Sequence, residues 1–428
     1  MPAHDEAEAV AVLLPAPDAA RAAVALWEAG NAVVPLDPAA PGAELRRALA
    51  ALRPTALLDA DGRHPLADGV PVARGVAAIV STSGTTGERK GVELTFGGLA
   101  ASGAAVAAAV GAGPEDGWLC CLPVHLVAGL AVVGRGWATG AAVAVHPRFD
   151  AEAVAKEGRL AGAGARGGAS GGGGASSGGG GDDSGGGGRT FVSLVPTMLH
   201  RLLDGAPDAV AGFGHILLGG GSIDPALLDR ARAAGATVST TYGMTETWGG
   251  VVHNGHPLDG VELRLDGPPA GGEAGEILVR APMLMRGYRL WPEGTAAAVD
   301  AAGWYRTGDI GRFDPAAGGR LRVVDRLGDV VTTGGVKVSP TEVERALGRH
   351  PAVADVCVAG RPDPEWGQII VAFVVPAEPG AAPALDELRA FARAELAAPK
   401  LPRELVIVPS IPRTAGGKPQ RRLLPGAG

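Results

Sequence analysis

Ser81-Thr82-Ser83-Gly84-Thr85-Thr86-Gly87-Glu88-Arg89-Lys90-Gly91 decides how the rest of this chain is read. It follows the apolar run Val76–Val80 and precedes a candidate helix. Its glycines leave backbone N–H groups free to converge, and its Ser/Thr hydroxyls and Lys90 can donate to phosphate oxygens. The Gly-x4-Gly-Lys-Ser/Thr spacing of a Walker A loop does not occur. The stretch is therefore either a phosphate-gripping loop of another kind or a surface turn, and the segments around it must choose.

Before this stretch, short β-type runs alternate with Ala-rich helical ones. Strands are expected at Ala9–Leu14, Ala32–Leu36 and Thr55–Leu58, with helices at Pro17–Ala29 and Gly42–Leu52. The rhythm returns as strand His215–Leu218, helix Asp224–Ala234 and strand Thr237–Thr241. Strands alternating with 10–15-residue helices predict βαβ units and a parallel-rich sheet, an α/β fold. Beyond Asp325–Asp329 the pattern turns hairpin-like: strands Asp355–Ala359 and Ile369–Val375, helix Leu385–Leu396, strand Glu404–Val408. That predicts a large domain over 1–327 and a small α+β domain over 328–428.

Composition narrows the classes. Of 428 residues 69 are Gly, yet no Gly-X-Y period runs through them, which excludes collagen. The chain is 46% apolar and 19% charged, the reverse of a disordered composition. Sixteen glycines fall in the 27 residues 162–188, where almost no apolar surface could repay ordering. A disordered loop inside one domain is expected there. A net charge of −7 gives no footprint for nucleic acid or an anionic membrane. Cys120, Cys121 and Cys357 fit neither a disulfide framework nor a zinc spacing, and read as buried small hydrophobes. The acidic N-terminus lacks the features of a signal peptide, and no run approaches ~18 strongly apolar residues. A soluble cytoplasmic protein without membrane insertion is expected.

Six further segments follow in order. Ile216–Gly221 (ILLGGG) closes a strand. Thr241-Tyr242-Gly243-Met244-Thr245-Glu246-Thr247 follows another. Then come Gly303-Trp304-Tyr305-Arg306-Thr307-Gly308-Asp309, Val324-Asp325-Arg326-Leu327-Gly328-Asp329, Gly334–Glu344 and Pro412–Arg421, which holds Gly416-Gly417-Lys418. With these, the chain from about Ala9 to Arg422 resembles the adenylate-forming superfamily of acyl-CoA synthetases, luciferases and adenylation domains. The resemblance implies a large N-terminal domain, a small mobile C-terminal domain, and ATP, Mg2+ and a thiol as reaction partners.

Joining a carboxylate to the α-phosphate of ATP brings two anions together, so positioning and charge neutralisation should dominate catalysis. The resemblance implies that Thr82, Ser83, Gly84, Thr85, Thr86, Gly87 and Lys90 grip the terminal phosphates. It implies Gly220, Gly221, Thr241, Tyr242 and Gly243 beside the nucleotide, Thr245 on phosphate, and Glu246 on Mg2+. Asp309 would accept from the ribose hydroxyls, Arg326 would support the ribose–phosphate side, and Lys418 would neutralise the reacting carboxylate. Gly334, Gly335 and Lys337 would face the thiol acceptor after rotation about a hinge at Gly328. Lys or Asp usually stands at that hinge, so this glycine departs from the pattern.

His125, in Leu122-Pro123-Val124-His125, stands one place before the family's usual pocket histidine, where this chain has Leu126. It is either a gate or a pocket-wall residue. The short N-terminal portion, the flank Ser193–Leu203, and Tyr242–Gly250 followed by Pro257-Leu258-Asp259-Gly260 are most similar to o-succinylbenzoate–CoA ligases of menaquinone biosynthesis. Pro196 suits a helix's first turn, which puts Thr197 and Arg201 one turn apart. Arg201 is either a surface arginine or a bidentate partner for the substrate's second carboxylate. Ser193, Thr197, His125 and Gly220 are the other substrate candidates. Ten residues follow Lys418, so free CoA is expected as the thiol. Another aryl- or acyl-CoA ligase, or an enzyme loading a separate carrier protein, remains an alternative. A non-catalytic nucleotide-binding relative would be expected to lack Glu246, Asp309 or Lys418, and all three are present.

Overall fold

A computed structural model describes residues 6–83, 89–167, 188–221, 223–267, 274–414 and 419–426. The chain divides into two compact units, Met1–Glu262 with Arg280–Tyr305, and Leu263–Val279 with Arg306–Gly428. The boundary expected at Leu327–Gly328 lies within the second of these.

The first unit contains two seven-stranded sheets. In one, Ala142–Val145, Gly117–Cys120, Thr190–Leu194, His215–Leu218 and Val238–Met244 run parallel, followed by antiparallel Gly249–His253 and His256–Pro257. In the other, Val76–Ser83, Ala32–Pro35, Ala9–Val12 and Ala56–Asp59 form the parallel centre. Every residue of Ala9–Val12 and Ala32–Pro35 is buried, as strands covered on both faces must be. Helix Ala16–Glu28 packs Ala19, Ala20, Ala23 and Trp27 inward. The Trp27 indole donates to the Ala77 carbonyl at 2.9 Å, tying helix to strand.

The stretch Ser81–Gly91 departs from the expected strand–loop–helix. Its C-terminal side is strand Arg89–Thr95, antiparallel to Val76–Ser83 with Thr82 opposite Lys90, and the helix Phe96–Val110 begins only afterwards. Alternation explains this: Val92 and Leu94 are fully buried, and Glu93 between them is buried against arginine. Lys90 is thus held by a hairpin, not by a helix N-terminus.

The glycine-rich segment also begins later than expected. Helix Ala151–Gly167 continues through Gly162, with alanines at 161, 163 and 165 offsetting the glycines between them. Arg159 joins it to Asp208 at 2.8 Å. The remainder, 168–187, lies outside the described residues.

The second unit carries most of a four-stranded sheet, Glu262–Asp266, Gly275–Arg280, Tyr305–Asp314 and Arg320–Arg326. It also has a five-stranded sheet centred on the antiparallel pair Val353–Asp363 and Gly367–Pro376. Helices Pro340–Leu347 and Leu385–Ala392 contribute Val343, Leu347 and Leu388 to a core with Ile370 and Val374. All three cysteines are buried, and burial pushes each thiol up to about 12, so none offers a thiolate at neutral pH. Among the described residues, no helix is long and apolar enough to cross a membrane.

Candidate active site

The parallel strand Val238–Met244 ends in a tight turn that carries Thr245 and Glu246. Its register with Gly249–His253 shifts between Tyr242 and Gly243. A Cβ at Gly243 would fall 1.8 Å from the Gly249 carbonyl oxygen, so only glycine fits. Thr247 accepts from the Met244 N–H at 3.1 Å and donates to the Gly249 carbonyl at 2.7 Å. Trp248, buried with φ +54°, donates its indole N–H to the Thr95 carbonyl at 3.1 Å. The turn is thereby locked to the helix that follows the Lys90 strand.

Glu246 has a partner that no local motif announced. The Tyr288 hydroxyl donates to Glu246 Oε1 at 3.0 Å, and Tyr305 bonds to Tyr288 in turn. Burial, together with the Glu246 charge, pushes both phenols above their usual range, which keeps them protonated donors. Lys90 Nζ lies 4.5 Å from the Trp291 ring centroid and 5.2 Å from that of Tyr288. The segment holding both rings is fixed by the buried Arg289. Its guanidinium lies 3.1 Å from Glu93 and donates to the carbonyls of Leu52, Val70 and Pro71. Sequence reasoning missed Tyr288, Trp291 and Tyr305. Tyr305 lay inside a quoted motif, but nothing local pointed to Glu246.

Glu246 suits a Mg2+ ion bound mainly through nucleotide phosphates. It is a hard oxygen donor with one oxygen steadied by Tyr288. Among the described residues, no cluster of three or more His, Cys, Asp or Glu could hold a metal ion. A single carboxylate plus phosphates and water is a common way to hold Mg2+.

Several acyl-side candidates adjoin one another. Gly220, at φ +81°, has its Cβ position 3.2 Å from Val195 Cγ1, and that of Gly221 is 4.0 Å from Pro196. The three-glycine turn therefore lies against the start of helix Pro196–Gly205, next to Ser193 and Thr197. Thr197 and Arg201 are both exposed on that helix. Thr241 is opposite His253 in the ladder. His125 Nε2 sits 3.8 Å from Asp37 Oδ2, and burial lowers its pKa.

In the second unit, Asp309 and Arg326 face each other across neighbouring strands, with Arg326 Nε 3.0 Å from Asp309 Oδ1. Asp309 is buried and its N–H donates to Thr307 Oγ1 at 3.0 Å. Gly328 follows, exposed, with no heavy atom within 4 Å of where a Cβ would stand. Gly334 and Gly335, at φ +55° and +79°, turn the chain between Val331–Thr333 and Val336–Val338, the second of which carries Lys337. Gly84, Thr85, Thr86, Gly87 and Lys418 lie outside the described residues, as does the side chain of Ser83. Beside Lys418, Arg413 pairs with Pro419, and Arg421 bonds to Asp329 and Glu344 at 2.8 and 2.7 Å.

The AMP-binding enzyme profile matches residues 61–160 and 188–289, and the AMP-binding enzyme C-terminal domain profile matches 342–418. A probable 2-succinylbenzoate–CoA ligase from Mycobacterium tuberculosis is 38% identical over 353 residues, 82% of this chain and 84% of that one. The 2-succinylbenzoate–CoA ligase of Geobacillus kaustophilus is 36% identical, over 82% of this chain and 69% of that one. The o-succinylbenzoate CoA synthetase of Bacillus subtilis, solved with the acyl-adenylate intermediate OSB-AMP, superposes with a TM-score of 0.82. It shares 27% identity, over 99% of this chain and 90% of that one. The chain belongs to the AMP-binding enzyme family, alongside the 2-succinylbenzoate–CoA ligases.

Proposed function

We propose that this protein is a 2-succinylbenzoate–CoA ligase. The carboxylate of 2-succinylbenzoate attacks the α-phosphorus of ATP, the bond to the β-phosphate oxygen breaks, and pyrophosphate leaves with the electron pair. The thiol of CoA then attacks the acyl carbonyl, AMP departs, and the thioester remains. The observation that carries the reading is the 38% identity to the Mycobacterium ligase across 84% of that protein's length.

Within this reading Glu246 holds Mg2+, which neutralises phosphate charge when bound. Thr82 to Lys90 and Thr245 hold phosphate oxygens, and Tyr242 with Gly243 borders the adenine. Asp309 accepts from the ribose hydroxyls, and its ion pair with Arg326 keeps its carboxylate aimed. Lys418 offsets the charge of the two anions as they join. A turn of residues 328–428 about Gly328 then brings Gly334, Gly335 and Lys337 to the thiol. Arg201 holds the second carboxylate of the substrate in a bidentate contact, and its Ala variant is expected to raise the KM for 2-succinylbenzoate with kcat nearly unchanged. A cytoplasmic location follows from the supply of ATP and CoA.

Thioester formation with 2-succinylbenzoate, benzoate and a fatty acid tests the proposal. A kcat/KM for 2-succinylbenzoate at least ten-fold above the others is expected. Equal or better turnover of either competitor would sink the substrate assignment.

A further inference from the structure

The segment Arg286–Trp291 connects two groups that handle phosphate charge, although the sequence motifs assign it nothing. It joins the edge of the sheet through Gly287–Tyr288, which pairs with the strand carrying Lys90, Tyr288 standing opposite Val92. Arg286 and Arg289 both bind the buried Glu93, at 2.8 and 3.1 Å. Arg289 also reaches the carbonyls of Leu52, Val70 and Pro71, so the backbone here has little freedom. From this fixed base Tyr288 reaches Glu246 and Trp291 reaches Lys90. The Trp291 ring is itself seated: a Cβ at Gly294 would lie 2.2 Å from it. Thr295 completes the corner, receiving the Tyr288 N–H at 2.8 Å and donating to the Trp291 carbonyl at 3.1 Å.

We propose that Tyr288 and Trp291 are positioning residues for nucleotide binding, Tyr288 aiming the metal-side carboxylate of Glu246 and Trp291 seating the ammonium of Lys90 over its ring. The proposal rests on the reading that Glu246 and Lys90 serve the Mg-nucleotide. A lysine carries four rotatable bonds, and confining it before the ligand arrives reduces the entropy lost on binding. An indole face attracts an ammonium without forming a directed bond, so Lys90 stays able to turn toward phosphate oxygens. The phenol works differently: its one donated hydrogen bond holds a single oxygen of the Glu246 carboxylate, and Tyr305 steadies the phenol in turn. Trp291 is 40% exposed, so replacing it removes the seat without emptying a core.

Calorimetric titration of the whole protein with ATP and Mg2+ tests this, with ATP–pyrophosphate exchange and thermal melting in parallel. Trp291→Leu is expected to weaken ATP binding about three- to ten-fold, and Trp291→Phe less, following the order of ring quadrupoles. In a Lys90→Met background the Trp291→Leu change should cost under about two-fold. Tyr288→Phe is expected to raise the Mg2+ concentration for half-saturation of ATP binding while the melting temperature moves little. Equal losses from Trp291→Leu with and without Lys90, or tighter ATP binding by it, would overturn the Trp291 role. An unmoved Mg2+ requirement in Tyr288→Phe would overturn the other. Absence of pyrophosphate exchange in the unaltered protein with every acid tried would instead overturn the ligase reading.

Discussion

Two glycines in the motifs obey opposite logic. Gly243 sits in the turn that carries Thr245 and Glu246, where any Cβ would strike the Gly249 carbonyl at 1.8 Å. Gly328 follows the Arg326 strand with no heavy atom within 4 Å of where a Cβ would stand and no positive φ. Around Gly243, Thr247, Trp248 and Tyr288 each hold the turn by a separate hydrogen bond. Around Gly328, Leu327 is half-exposed, and the flanking residues are held from either side, Leu327 by its N–H to the Gly308 carbonyl at 2.7 Å and Asp329 by Arg421 at 2.8 Å, with nothing against Gly328 itself. In one place glycine is required because the backbone is packed tight. In the other it is tolerated because a side chain would meet no neighbour. A carboxylate held in one position goes with the first kind of glycine, and the turn proposed about Gly328 would use the second.

The largest effect is expected at the packed turn's functional tip. Glu246→Gln keeps the volume and still accepts from Tyr288, so the fold should hold. Loss of the charge should lower acyl-adenylate formation on the order of 10²-fold or more. Pyrophosphate-exchange rates measure this, and an effect under about three-fold would remove Glu246 from the chemistry. Gly243→Ala tests the packing itself. Forcing a methyl against a carbonyl should cost about 2–3 kcal/mol of stability, read as a drop in the denaturant midpoint. A stability change near zero would mean that the strand pair around Tyr242 can part.

The same strand pair should respond to acid. His253, opposite Thr241, is buried, and desolvation together with Arg135 and His215 lowers its pKa to about 4. The unfolded chain protonates its histidine near ~6.5, so it takes up this proton first as pH falls. The stability contribution is complete above that value and is lost as pH falls toward about 4. From pH 7.5 to pH 4.5 the loss due to this residue should be about 2–3 kcal/mol. Comparing denaturant midpoints of the native protein and His253→Asn at both values isolates it. A parallel fall in the two would assign the acid sensitivity elsewhere.

The contrast also marks what the residue string could reveal. Helix Gly42–Leu52 and strand His215–Leu218 begin and end where their patterns predict, since the periodicity of each is local. Strand Arg89–Thr95 is not announced by the sequence, because the hydroxyl-rich loop before it resembles a helix entry. Glu246, Asp309 and Arg326 stand out as candidates in the sequence because a motif surrounds each. Tyr288 and Trp291 do not, since each acquires its meaning from a residue far away in sequence, Glu246 and Lys90 respectively. Long-range pairings carry no periodicity and no spacing. The Asp309–Arg326 ion pair shows the intermediate case: both residues were named, but their contact depends on a strand register.

The smallest effect is expected at the open glycine, and it is the most informative about motion. Gly328→Ala meets no neighbour and needs no unusual φ, so it should stabilise slightly, by about 0.4–1 kcal/mol, through the unfolded chain. Adenylate formation should stay within about two-fold of the native rate, because the conformation described here already suits alanine. The discriminating measurement is the second half-reaction, thioester formation from preformed acyl-adenylate. If the proposed turn about residue 328 uses only dihedrals open to alanine, that rate is unchanged as well. A loss of ten-fold or more confined to this step would show that the thiol-accepting arrangement drives residue 328 into positive φ. Gly328 would then join Gly243 as a glycine that is required, with the requirement arising in a second conformation.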